Sequence, residues 1–214
     1  MYFTKTPPLL MRLTGHLVWK IRTSEKKIYL TFDDGPNKET TGKILDLLHR
    51  HHAQATFFLT GRKAGRHPDL VGEIRRNGHA LGNHTFDHLN GWKTPTGEYL
   101  ENIDRCDEVV ASDLFRPPYG RITPAQAKRI GGRYAIVLWT VMPGDFDARR
   151  SPEEVARNLH RHAEPGSIIV LHDLERTWEK VSHALPGFLE DFSSRGYTFE
   201  PLTREVCISR GHDR

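Results

Sequence analysis

Apolar residues in this chain come in short dense runs separated by amphipathic stretches. Ile28–Phe32, Ala55–Leu59, Tyr134–Val141 and Gly166–His172 are rich in β-branched, aromatic and aliphatic side chains and read as buried strands. Shorter runs at 79–82, 114–116 and 197–202 read the same way. Between them the apolar residues take helical spacing: Ile44, Leu45, Leu47 and Leu48, then Leu70, Val71 and Ile74 in a helix over 68–77, then Leu100, Ile103, Val109 and Val110 in one over 96–111. Thr123-Pro124 and Ser151-Pro152 are cap-plus-proline starts for helices ending near Ile130 and Ala163. A last helix carries Leu185, Phe188, Leu189 and Phe192, with Pro186 as its start or a kink. About seven strand–helix repeats of buried strands imply a parallel sheet. Of the α/β arrangements, a parallel barrel with its site at the C-terminal rim fits best, because no glycine-rich nucleotide loop is present.

Composition narrows this only slightly. A chain of 214 residues fits one domain with a substantial core. We expect that domain over 25–205, with 1–24 as a basic, irregular lead-in and 206–214 as a tail. Leu9, Leu10, Leu17, Val18 and Trp19 are expected to pack in the lead-in as a short helix. The charge of +4 comes without a dense Lys/Arg run or zinc-finger spacing, so no nucleic-acid partner is expected and a monomer is. Cys106 and Cys207 lie far apart and read as reduced, non-catalytic thiols. The apolar run Pro7–Met11 is too short for a signal peptide, and no run is long enough to span a bilayer. The default expectation is a cytoplasmic protein, with export left open.

The candidate chemistry falls just after the strands. Asp33 and Asp34 end the first run, and His84 and His88, Arg116 and Tyr119, Asp145 and His172 follow later ones. On a regular strand Asp33 and Asp34 would point to opposite faces, but a turn at Gly35 would let both face one cavity. His84-x-x-x-His88 is metal-ligand spacing if the segment is a helical turn. With Asp34 it would make two imidazoles and one carboxylate, leaving positions open for water. Thr85 stands where the metallopeptidase motif needs Glu, so a base must come from elsewhere, and Asp33 is adjacent to the candidate ligand.

In four ordered motifs the sequence resembles the polysaccharide deacetylases, carbohydrate esterase family four, also called the NodB homology domain. The motifs are Thr31-Phe32-Asp33-Asp34-Gly35, His84-Thr85-Phe86-Asp87-His88, Arg116-Pro117-Pro118-Tyr119-Gly120 and Val170-Leu171-His172, and the resemblance runs from about Lys27 to Leu202. It implies a distorted seven-stranded (β/α) barrel, a single TIM-barrel-like domain, and metal-dependent removal of acetyl groups from a sugar. It further implies that Asp34, His84 and His88 hold one divalent ion, zinc first. Asp33 would be the base, oriented by Arg116, and His172 the acid, tuned by Asp145. The Tyr119 N–H would stabilise the oxyanion, and Trp139, Leu171, Pro117 and Phe146 would shape the acetyl pocket. Met142 and Phe146 depart from the family's fourth motif, where two Asp residues precede a Trp. The same site would serve a sugar O-acetyl esterase. Two readings from other classes stay open: a non-haem iron oxygenase, which also uses two His and a carboxylate, and a non-catalytic sugar-binding relative.

Overall fold

Strand β1 (Lys27–Asp33) is the one on which the others assemble. The structure, a computed structural model, describes residues 2–209. Parallel to β1 run β2 (Ala55–Leu59) on one side and β6 (Ile168–His172) on the other, while β7 (Thr198–Phe199) pairs with its first two residues. Outward from β2 follow β3 (Ala80–Asn83), β4 (Leu114–Phe115) and β5 (Ala135–Ile136), giving the order β5-β4-β3-β2-β1-β6 with β7 beside β1. All seven strands are parallel and curl into a distorted (β/α) barrel, a single domain.

The helices are α1 (Pro8–Leu13), α2 (Thr41–Arg50), α3 (Gly61–Arg66), α4 (Pro68–Arg76), α5 (Thr96–Val110), α6 (Pro124–Ile130), α7 (Pro152–His162), α8 (Trp178–Ser194) and α9 (Arg204–Ile208). Capping boxes start α6 at Thr123 with Gln126 and α7 at Ser151 with Glu154, each satisfying two backbone donors at a helix start. Pro186 lies inside α8 rather than at its start. Neither α3, which is polar but for Ala64, nor α9, which begins inside the expected domain and runs into the expected tail, shows in the apolar pattern. Of that tail only 206–209 fall within the described residues. No described helix is long and apolar enough to cross a membrane.

Strand alternation divides the core. Ile28, Leu30 and Phe32 of β1 pack outward, with Ile169 and Leu171 of β6, against α2, α7 and α8. Tyr29, Phe58 and Ile168 point the other way and pack with Leu114, Val137 and Leu202. Leu171 therefore belongs to the shell between sheet and helices, where full burial of such a side chain contributes about 1.5–3 kcal/mol.

Two expected strands are shorter than their apolar runs. The run over 134–141 ladders with β4 only at Ala135 and Ile136 and then changes partner. Val18 N–H donates to Ile136 O and Leu138 N–H to Val18 O, after which Thr140 N–H and Val141 N–H donate to Ile168 O. Residues 137–141 thus cross the seam between β5 and β6, and their backbone groups are satisfied by several neighbours instead of one ladder. The run over 197–202 pairs with β1 at 198–199 alone. The lead-in is built into the same seam: Lys5 bridges Val141, Met142 N–H donates to Thr4 O, and Lys20 bridges Ser167. The helix there ends at Leu13, so Val18 and Trp19 are extended, and α1 buries none of its residues.

Candidate active site

The turn after β1 solves the problem of two adjacent carboxylates. Asp33 keeps the strand's inward direction, in line with Thr31. Asp34 has a φ of 72°, a left-handed conformation uncommon for a non-glycine residue, so its side chain does not follow the strand to the opposite face. Gly35 allows a close approach here: a Cβ on it would meet Asp173 Oδ2 at 2.5 Å. Asp173 is fully buried and accepts the hydroxyls of Thr40 and Thr41, tying the turn to the start of α2, and burial pushes its pKa up. Sequence reasoning missed Asp173. The only signal was a second acid directly after a strand-end histidine.

Arg116 fills the barrel interior below this turn with no exposed surface. Its Nη1 donates to Asp33 Oδ1 (2.7 Å) and Thr31 Oγ1 (2.6 Å), its Nη2 to Leu138 O (3.0 Å) and its Nε to Val137 O (3.3 Å). The guanidinium also lies over the Phe58 ring, 4.1 Å from its centroid. Burial pulls the Arg116 pKa down and Asp33 opposes that. The arrangement leaves Asp33 pinned through one oxygen.

His84 and His88 reach Asp34 from the loop after β3, and that loop is not the helical turn their spacing suggested. Thr85 and His88 have φ of 61° and 58°, so the segment reverses twice. Side chains hold it there: Asn83 Oδ1 accepts from Thr85 N–H, and Asn102 Oδ1 of α5 accepts from the N–H groups of Phe86 and Asp87. His84 Nδ1 lies 2.7 Å from Arg116 O. A carbonyl only accepts, so that nitrogen carries the proton and His84 Nε2 turns its lone pair towards Asp34.

Asp34 Oδ1 lies 3.5 Å from His84 Nε2 and 3.0 Å from His88 Nε2, yet it is buried with no hydrogen-bond partner among the described residues. The three ligand atoms lie within 4.8 Å of one another. Lone pairs converging in a buried place repel unless a cation sits between them, so this donor set fits a divalent ion.

Across the turn, β6 delivers His172 beside Asp33, its register partner on β1. Its Nδ1 is 3.1 and 3.2 Å from the two oxygens of buried Asp145, and its backbone N–H donates to Asp145 Oδ2 at 2.7 Å. Burial alone would lower the His172 pKa, but Asp145, helped by Asp34 and Asp33, raises it to about 9. The Phe146 ring meets the imidazole at 5.1 Å, and Tyr2 from the lead-in meets Phe146 at 4.9 Å.

These groups share one cavity of about 630 Å³, lined by Asp33, Asp34, His84, His88 and His172, and by Trp139, Phe146, Met142, Tyr119 and Tyr2. Tyr119 has a φ of 61°, its hydroxyl is 3.2 Å from His88 Nδ1, and its backbone N–H has no protein acceptor among the described residues. Arg116 and Asp145 stand behind the lining, in contact with Asp33 and His172. Two expected pocket residues are elsewhere: Pro117 is buried without lining the cavity, and Leu171 faces the outer shell. Its neighbour Val170 takes that place, because adjacent residues of a strand point to opposite faces. Tyr2 and Lys63, whose Nζ donates to Asp34 O at 2.7 Å, were also missed.

A parallel barrel whose strand ends carry this cluster is of the (β/α)-barrel carbohydrate-esterase type, and it contrasts with the β-sandwich-like barrel usual for the oxygenase reading. Residues 20–135 match the family model described as polysaccharide deacetylase, and the chain belongs to that family. A peptidoglycan-N-acetylglucosamine deacetylase of Bacillus cereus is 36% identical over 196 residues, covering 87% of this chain and 91% of the relative. A chitooligosaccharide deacetylase of Azorhizobium caulinodans is 37% identical over 204 residues, covering 86% and 96%. Among solved structures, the Bc1960 peptidoglycan N-acetylglucosamine deacetylase superposes with a TM-score of 0.86 at 30% identity, covering 98% of this chain and all (100%) of that one.

Proposed function

We propose that this protein is a zinc-dependent deacetylase that hydrolyses the acetamide of N-acetylglucosamine units in an oligo- or polysaccharide. One observation carries the reading: Asp34, His84 and His88 converge on an orphaned carboxylate oxygen while Asp33 and His172, each held by a buried partner, flank it in one cavity. Family membership and the names of the relatives support it.

Asp34, His84 and His88 would hold the ion, which when bound lowers the pKa of water and polarises a carbonyl. Imidazole and carboxylate ligands suit zinc. Asp33 takes the proton of the attacking water as its oxygen bonds to the acetamide carbon. Arg116 keeps that carboxylate aimed by holding the other oxygen. The Tyr119 N–H donates to the oxygen that becomes negative. His172, protonated with Asp145 behind it, gives its proton to the sugar nitrogen as the carbon–nitrogen bond breaks. Acetate and a free amino sugar leave, and the proton on Asp33 passes to solvent.

Acetate release from N-acetylglucosamine oligomers and peptidoglycan fragments, with and without chelator, tests this. Release that stops with chelator and returns with zinc is the expected result. Release that ignores chelator would overturn the metal assignment, and no release from any acetylated sugar would overturn the deacetylase reading.

A further inference from the structure

Trp92 is 64% exposed, an unusual outlay for an indole on a surface that buries most of its other large apolar side chains. The loop that carries it leads from His88 towards α5 and is held rigidly. Trp92 N–H donates to Asn90 Oδ1 (3.1 Å), its Nε1–H to Ile122 O (3.2 Å), and Thr94 Oγ1 to Asn90 O (2.9 Å). Gln126, already engaged in the capping box of α6, donates to Gly91 O at 2.9 Å. A Cβ at Gly91 would meet Arg121 O at 2.5 Å, so only glycine lets the loop lie against that segment. An exposed ring on a loop fixed by these bonds is a preorganised surface.

The ring is also continuous with the site. The Arg121 guanidinium stands over the Trp92 ring, 5.2 Å from its centroid, and Arg121 itself lines the cavity. Tyr119, also exposed, stands between Arg121 and His88 in sequence and meets the His88 ring at 4.7 Å. An aromatic–guanidinium strip thus leads from the metal-ligand cluster out along the rim. Arg121 has no carboxylate partner among the described residues, so its donors are free for a ligand.

Resting on the deacetylase reading, we propose that Trp92 and Arg121 are the residues that hold a further sugar unit of the same chain on the rim, beyond the unit whose acetamide is cleaved. The apolar face of a pyranose stacks on the indole, and Arg121 donates to ring or hydroxyl oxygens of the same unit.

The test is binding and turnover of N-acetylglucosamine and its hexamer by wild type, Trp92→Ala, Trp92→Phe and Arg121→Gln. Dissociation constants are taken by calorimetry on the full chain in chelator, which separates binding from turnover, and KM and kcat with zinc added. Expected in W92A is about a tenfold weaker hexamer Kd and a matching rise in KM with kcat retained, so that the gap between hexamer and single sugar closes. W92F recovers most of the affinity, and R121Q loses part of it. Equal losses for single sugar and hexamer, no change at either length, or a wild type that binds neither would overturn the subsite. Length-dependent binding without acetate release would uphold it while removing the deacetylase reading.

Discussion

Arg116 and Asp33 meet inside the barrel with Nη1 2.7 Å from Oδ1, and the guanidinium has no exposed surface. The pair is buried but not isolated, since the remaining donors of Arg116 reach Thr31, Val137 and Leu138. Removing one partner of such a pair leaves a buried charge uncompensated, at a cost of about 3–5 kcal/mol. Arg116→Ala is therefore expected to lose about that much in urea unfolding. Arg116→Lys keeps the charge but not the fork. It should fold, with acetate release down by about 10-fold or more while metal content stays at the wild-type level. Wild-type turnover in R116K would separate Arg116 from the orientation of Asp33.

Asp33 and Asp34 are neighbours with different expected phenotypes. Asp34→Ala removes the carboxylate from the two-histidine cluster and should abolish both zinc retention and turnover. Asp33→Asn should retain zinc while turnover falls by roughly 10²–10⁴, the usual contribution of a general base. Metal analysis after gel filtration, paired with acetate release, reads both. A metal-free but active D34A would mean that the ligand set is wrong.

The Asp145–His172 pair sets an alkaline limit. The folded pKa of His172 is raised, so the acid-competent protonated form is present below about pH 9 and lost as pH rises through that value. Asp145→Asn removes the main raising influence and leaves burial, which lowers the pKa. The alkaline limb of the pH–kcat/KM profile should then move down by at least about one unit. An unmoved limb would show that another group sets it.

His79 predicts acid sensitivity away from the site. It is 7% exposed, its Nδ1 accepts from Ala55 N–H at 3.1 Å, and burial lowers its pKa to about 4. Between pH 6.5 and 4 the unfolded chain binds the proton that the folded chain refuses, so stability falls with falling pH and levels off below about 4. With solvent screening at the ring the loss amounts to about 1–3 kcal/mol. Denaturant titrations across that window should show the loss, and His79→Gln, which keeps an acceptor without titrating, should flatten it.

The sequence by itself determined the sheet, most of its helices and the ring of chemistry at the strand ends. Buried parallel strands are dense in apolar residues, and Gly-Pro, Pro-Pro-Tyr-Gly and Pro-Gly stop them where the barrel rim begins. Asp33, Asp34, His84, His88, Arg116, Asp145 and His172 were legible because each lies at or shortly after the C-terminal end of an apolar run. The ordered motifs then linked them, although their association is a matter of long-range packing.

Only the tertiary structure decided which face each neighbour takes and who closes the seam. Val170 and Leu171 are equally apolar in sequence, and the register of β6 against β1 turns one into the cavity and the other into the shell. The histidine pair converges through two left-handed residues in a loop clamped by Asn83 and Asn102, a geometry its spacing disguised as a helical turn. The run over 134–141 looks like one strand but exchanges partners because the lead-in must fit between β5 and β6. Tyr2, Asp173 and Trp92 owe their places to contacts with distant residues or to side-chain bonds with loops. Local pattern encodes propensity and periodicity, whereas those contacts exist only once the sheet has curled.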